Sequence, residues 1–142
     1  MRAAQQRDMF SKRWRQVRAP EPSELQIQIS LIAHLKLMCR RDVVYFHVPN
    51  GELRDKRTAA KLKAMGELPG VADLVFVWSD TPCHGAAPEL KNLYLELKAR
   101  KRTMSPEQLA FRDRVVDAGA QYAVADNIDD ALAILRQHGL LQ

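Results

Sequence analysis

The run Leu74-Val75-Phe76-Val77-Trp78 places five apolar residues in succession with no polar alternation. Such a run reads as a strand buried on both faces. A strand of that kind belongs inside a sheet covered by helices, so the chain is expected to be an α/β domain. The segments around it agree. Ser23 and Gln26 have the spacing of a capping box, which predicts a helix from there to about Arg40. Leu25, Ile27, Ile29 and Leu31 alternate as a strand would. The apolar residues continue through Ile32, Leu35 and Met38 without a turn signal, however, and that length favours the helix. Val43 to Val48 reads as a strand closed by the turn Pro49-Asn50-Gly51. Residues 55–65 suit a helix with Ala59, Leu62 and Met65 inward and Arg54, Arg57 and Lys61 outward, ended by Gly66 and Pro69-Gly70.

A polar loop with Pro82, Gly85 and Pro88 then leads to a strand over Leu93 to Ala99. Ser105-Pro106-Glu107-Gln108 combines an N-cap serine, a proline at the first helical position and a glutamine three residues after the cap. The helix it opens would turn Phe111, Val115 and Ala118 to the core and stop at Gly119. Gln121 to Ala125 is a short strand. Asn127 caps a last helix in which Ile128, Ala131, Leu132 and Leu135 share a face, and Gly139 stops it. The order helix, strand, helix, strand, strand, helix, strand, helix describes one α/β domain around a small mixed sheet flanked by helices.

Charge is distributed unevenly. Residues 1–19 hold six basic side chains against Asp8, a charge of +5 that equals the net charge of the whole chain. Within that segment Phe10, Trp14 and Val17 could stripe one face of a short basic helix, and Pro20-Glu21-Pro22 marks a boundary. Residues 1–22 are therefore read as a basic tail and 23–142 as the folded domain. Two further basic blocks lie at 54–63 and 98–102. Three such blocks point to a polyanionic partner, most simply nucleic acid, with a solvated surface as the alternative. No apolar run approaches the roughly 18 residues of a membrane span, and neither a secretory signal nor a transit peptide is expected. Cys39 and Cys83 lack the spacing of a disulfide framework or a zinc ribbon and fit a reducing compartment.

The chemistry concentrates in Leu93-Tyr94-Leu95-Glu96-Leu97-Lys98. Alternation sends the leucines to one face and Tyr94, Glu96 and Lys98 to the other, with Glu96 and Lys98 about 7 Å apart along the strand. The plain interpretation is the wet face of an edge strand. Asp73, at the mouth of the strand Leu74 to Trp78, offers another. If the two strands are antiparallel neighbours, Asp73 meets Glu96, and two close carboxylates repel unless a cation or a proton lies between them. A hard divalent cation such as Mg²⁺ takes oxygen ligands of this kind. Lys98 could then hold a phosphate oxygen or a water, or it could form a metal-free salt bridge to Glu96 or Asp73.

This pattern resembles the PD-(D/E)xK nuclease superfamily, and specifically the virus-type replication-repair nuclease (VRR-NUC) family. The resemblance runs from about Ser23 to Leu135 and rests on several segments in order. These are Ser23-Glu24-Leu25-Gln26, Pro49-Asn50-Gly51, the segment Gly66 to Asp73, Leu95-Glu96-Leu97-Lys98-Ala99, and Ser105-Pro106-Glu107-Gln108. Ala72 departs from the proline in the superfamily's name, at a position that shapes backbone. The resemblance implies a restriction-endonuclease-like core and phosphodiester hydrolysis with Mg²⁺ or Mn²⁺. It implies Asp73, Glu96 and the Leu97 carbonyl as metal ligands, and Glu24 holding a metal-bound water or a second metal. It further implies that Lys98 orients or helps deprotonate the attacking water and that Gln108 positions the site. Glu24 could instead only complement the helix dipole, and Gln108 could only cap Ser105, or cap and position the site together.

DNA contacts are expected from Asn50, Gly51, Arg54, Arg57, Lys61, Lys101 and Arg102, although Asn50-Gly51 alone is more often just a turn. His34, His47, His84 and His138 show no shared ligand spacing and read as structural or surface residues, with His47 a possible substrate neighbour. Trp78 reads as core. The resulting expectation is a structure-selective DNA endonuclease that resolves Holliday junctions as a homodimer in the cytoplasm of a bacterial or phage-infected cell. It would need no small-molecule cofactor and no membrane. The alternatives are a flap-, nick- or end-directed nuclease and a non-catalytic nucleic-acid-binding module.

Overall fold

The computed structural model describes residues 20–49, 56–80, 87–100 and 102–142. Residues 1–19, Asn50, Gly51, Arg54, Pro82, Cys83, His84, Gly85 and Lys101 lie outside them, and with them the expectations for the tail, the Asn50-Gly51 turn and four of the DNA contacts.

The capping box at Ser23 forms as its spacing predicts. The Gln26 amide donates to Ser23 Oγ at 3.3 Å, and Gln26 Oε1 accepts from the Ser23 amide at 2.8 Å, opening α1 (Glu24–Met38). Ile27, Leu31 and Leu35 recur every four residues on one stripe of α1 and are buried. The strand-like alternation is settled for the helix, which leaves Leu25, Ile29 and Leu37 on its outer side at 65%, 62% and 87% exposure.

The sheet contains β1 (Val44–His47), β2 (Leu74–Asp80), β3 (Glu89–Leu97) and β4 (Gln121–Ala125), in that spatial order. β1, β2 and β3 are antiparallel neighbours, whereas β4 runs parallel to β3. The parallel pair needs a crossover, and α3 (Pro106–Asp117) supplies it. The sheet is therefore mixed. One of its faces carries Leu74, Phe76, Trp78, Leu93, Leu95 and Leu97, which form the core with α1 and with Ala131, Leu132 and Leu135 of α4 (Ile128–Gln137). Each fully buried leucine of this set contributes about 1.5–3 kcal/mol. Val75, Tyr94, Glu96 and Tyr122 lie on the opposite face, where Phe111 of α3 packs edge-on against Tyr94 with ring centroids 5.5 Å apart.

Four expectations need correction. β3 is an interior strand, so the wet edge-strand interpretation of Glu96 and Lys98 does not hold. β3 also begins at Glu89 rather than Leu93, because Glu89 to Asn92 pair with Val77 to Asp80 and extend a hairpin that the polar residues there concealed. Ala118 is exposed, since it stands at the C-cap where α3 has already left the sheet. In α2 (Lys56–Ala64), Ala59 is exposed and Met65 just beyond it is 71% exposed. Among the described elements α2 packs against no other helix or strand, so it has no inward side to bury them on. Trp78 is core, 3% exposed, as expected. No helix of the described residues is long and apolar enough to cross a membrane.

Candidate active site

The register of β2 and β3 pairs Leu74 with Leu95. One step further along an antiparallel pair brings Asp73 opposite Glu96, on the face away from the leucines. Asp73 Oδ2 accepts a hydrogen bond from the Leu97 amide at 2.8 Å, which fixes its carboxylate against β3. The backbone of Asp73 is held from β1: its carbonyl accepts from the Val48 amide at 3.0 Å and lies 2.9 Å from His47 Nδ1. His47 thus supports the loop that carries Asp73. His34 instead pairs with the Ser30 carbonyl within α1, and His138 packs on Trp78.

Glu96 and Lys98 are 1% and 8% exposed, and they are the two charged side chains buried among the described residues. Charged groups are almost never buried unless paired. Lys98 Nζ lies 2.6 Å from Glu96 Oε1, so the salt bridge set against a catalytic role is present. Gln108 Nε2 donates to the same Oε1. Gln108 also does what its capping box requires. Its Oε1 accepts from the Ser105 amide at 2.9 Å, and its own amide donates to Ser105 Oγ at 3.3 Å. Capping and contact with Glu96, two roles that the sequence allows to hold together, are both met by one amide side chain.

Glu24, in the first turn of α1, accepts from the Ala99 amide at 3.0 Å and so ties that helix to the end of β3. Gly70 presses the Asp73 loop onto the start of α3. Its φ is +76°, and a Cβ there would collide with the Glu107 carbonyl and lie 2.6 Å from the Gln108 nitrogen. Only glycine satisfies both conditions.

These groups line one cavity of about 850 Å³, with Glu24, Asp73, Glu96, Lys98 and Gln108 all on its wall. Burial pushes the Glu96 carboxyl up to about 7; the Lys98 bridge opposes that and the Asp73 charge adds to it. Burial likewise raises Asp73, against the Leu97 amide and Lys98 and with the Glu24 charge. Two carboxyl groups raised together mark a place where positive charge is wanted.

Among the described residues, no three His, Cys, Asp or Glu side chains stand close enough to hold a metal by themselves. A metal centre here would rest on Asp73 and Glu96 together with a backbone oxygen such as that of Leu97. Glu96 Oε2 fits that use, being buried with no hydrogen-bond partner. A carboxylate oxygen is a suitable donor for Mg²⁺ or Mn²⁺.

The expected DNA contacts distribute differently. Arg57 and Lys61 are exposed on α2 and do not line the cavity, and neither does exposed Arg102. Lys63 of α2 lines it, a residue the sequence reading passed over. Lys63 lies four residues after Ala59, which also lines the cavity, so helical spacing could have found it once the helix's orientation was known.

No family model and no curated protein matches this chain. Among solved structures, one described as a VRR_NUC domain protein superposes with a TM-score of 0.60 over 82% of this chain and 88% of that chain, at 21% sequence identity. The chain therefore shares the α/β fold of that VRR_NUC domain protein.

Proposed function

We propose that this chain is a metal-dependent endonuclease that hydrolyses phosphodiester bonds in branched DNA, with Asp73, Glu96 and Lys98 at its centre. The observation that carries the reading is the buried Glu96–Lys98 pair set against Asp73 on a cavity wall, with one Glu96 oxygen left without a partner. Asp73, Glu96 and the Leu97 carbonyl would hold Mg²⁺ or Mn²⁺, with Glu24 close to the same charge. When bound, such a cation supplies positive charge at the scissile phosphate and eases ionisation of the attacking water.

The chain's own residues do the rest. Gln108 and Lys98 hold Oε1 of Glu96, while Oε2 has no hydrogen-bond partner and is left for a ligand. Lys98 offers its remaining N–H donors to a water or a non-bridging phosphate oxygen, which is the orientation role the resemblance assigns to it. Lys63 stands on the same wall to meet the backbone of the bound strand. Water then bonds to phosphorus as the ester bond to the leaving oxygen breaks.

The preference for four-way junctions belongs to the same proposal, as does a homodimer with two sites for paired cuts. The outward stripe Leu25, Ile29 and Leu37 on α1 supports a second copy packing there. Labelled four-way, flapped, nicked and linear DNA incubated with Mg²⁺ or Mn²⁺ tests the reading. The parent should cut branched DNA only with metal, and Asp73→Asn should bind the same DNA without cutting it. Tight binding with no metal-dependent cleavage of any substrate would instead mark a non-catalytic binding module.

A further inference from the structure

Among the described residues, three buried oxygen atoms on the site's face of the sheet lack hydrogen-bond partners: Asn92 Oδ1, Glu96 Oε2 and the hydroxyl of Tyr122. Buried polar groups are normally paired, and each exception calls for a cause. The parallel register sets Tyr94 beside Tyr122 and Glu96 beside Val124. Tyr122 therefore points to the same face as Glu96, one pair behind it along the strands. Burial chiefly raises the pKa of its hydroxyl, and the charge of Glu96 raises it further. A tyrosine hydroxyl is protonated at neutral pH and available as a donor. Tyr122 is absent from the cavity lining that Glu96 forms part of.

We infer that Tyr122 is a positioning residue: when a cation is held on the cavity side of Glu96 Oε2, the Tyr122 hydroxyl, unbonded in this structure, turns to donate to that oxygen from behind. The inference rests on the metal-dependent reading above and names a residue that reading did not use. A carboxylate oxygen has two lone-pair sites, so one can accept from Tyr122 while the other faces the metal. Lys98 and Gln108 already hold Oε1. In the cation-bound state Tyr122 supplies the missing hold on Oε2, and with both oxygens held the carboxylate stays turned to the cavity. Hydrogen bonds to a ligating carboxylate of this sort tune metal affinity.

Tyr122→Phe removes the hydroxyl and keeps the ring. Mn²⁺ affinity by calorimetry, and the Mn²⁺ concentration giving half-maximal cleavage, should both weaken by about 10- to 100-fold. The single-turnover rate should return at saturating Mn²⁺, a rescue that a purely structural defect would not show. Unchanged affinity and half-saturation in Tyr122→Phe would overturn the inference while leaving the nuclease reading intact. A rate loss that saturating Mn²⁺ does not restore would overturn it as well. If the parent itself binds no Mn²⁺, the metal-centre reading fails, and this inference with it. The parent also offers a check that needs no variant: saturating Mg²⁺ should perturb the near-ultraviolet tyrosine absorbance, and a flat difference spectrum would contradict the proposal.

Discussion

Two capping boxes of the same form, Ser-x-x-Gln, open α1 and α3, and their local geometry is nearly identical. Gln26 Oε1 meets the Ser23 amide at 2.8 Å, and Gln108 Oε1 meets the Ser105 amide at 2.9 Å. Their surroundings differ. Gln26 faces solvent, so its amide nitrogen has no further task in the fold. Gln108 is half-buried and turns that nitrogen onto Glu96. The Asp73 loop is pressed onto the start of α3 through Gly70, whereas the start of α1 is tied to the end of β3 through Glu24 and the Ala99 amide. A cap becomes part of a site when its spare donor is buried against a charged partner.

The contrast can be broken most severely at Gly70. Gly70→Ala forces a Cβ into the Glu107 carbonyl and strains a residue at φ +76°. It should cost about 1–3 kcal/mol of stability and abolish activity, because the Asp73 loop and Gln108 can no longer approach. Thermal melting and cleavage of the purified variant measure both. Gly66, also at positive φ but with open space around it, should tolerate alanine with a smaller loss of stability and retained cleavage.

Exchanging the glutamines sharpens the comparison. Gln108→Ala should slow metal-dependent cleavage by about 10- to 100-fold, as expected for loss of a partner that orients a ligand. Gln26→Ala should leave the rate within about twofold. Both should destabilise the chain by no more than about 1 kcal/mol, so the split between rate and melting temperature separates the two roles. Equal rates for the two variants would erase the distinction.

The serines give a smaller effect. Ser23→Ala and Ser105→Ala should each lose about 1 kcal/mol of stability. Only Ser105→Ala should also slow cleavage, by a few-fold, because Gln108 loses one of its two bonds to Ser105. Single-turnover rates at saturating metal are the measurement.

A further effect is in pH dependence. Glu96 has a carboxyl raised from 4.5 to about 7 by burial. In metal-free protein the folded state therefore holds this proton more tightly than the unfolded state. Its contribution to stability is full below about pH 4.5 and is lost as pH rises through about 7. Asp73 is raised in the same direction. Melting of the metal-free chain should fall between about pH 5 and pH 8, and Glu96→Gln should flatten that slope.

Much of this was legible in the residues, for reasons that the same examples make plain. Capping boxes are local, so Ser23, Gln26, Ser105 and Gln108 could be read without a fold. Strand alternation is also local, and it sent Glu96 and Lys98 to one face correctly. Whether that face was wet or buried depended on β3 lying between β2 and β4, which no local pattern encodes. The same limit applies to α2. Spacing showed which residues share a side of the helix, but only tertiary placement turned Ala59 and Lys63 to the cavity and left Arg57 and Lys61 on the outside. Tyr122 gave no signal beyond its place in a short strand, since its meaning comes from the parallel register with Glu96.

The central claim is that the buried Glu96–Lys98 pair beside Asp73 is a metal-dependent catalytic centre rather than a structural ion pair. Glu96→Gln tests it most directly, because it keeps the shape and removes the charge. Single-turnover cleavage of a labelled four-way junction in Mn²⁺, with DNA affinity measured alongside, gives the answer. The account predicts parent-like affinity and cleavage reduced to the background of the metal-free reaction. Parent-like cleavage by folded Glu96→Gln would contradict it.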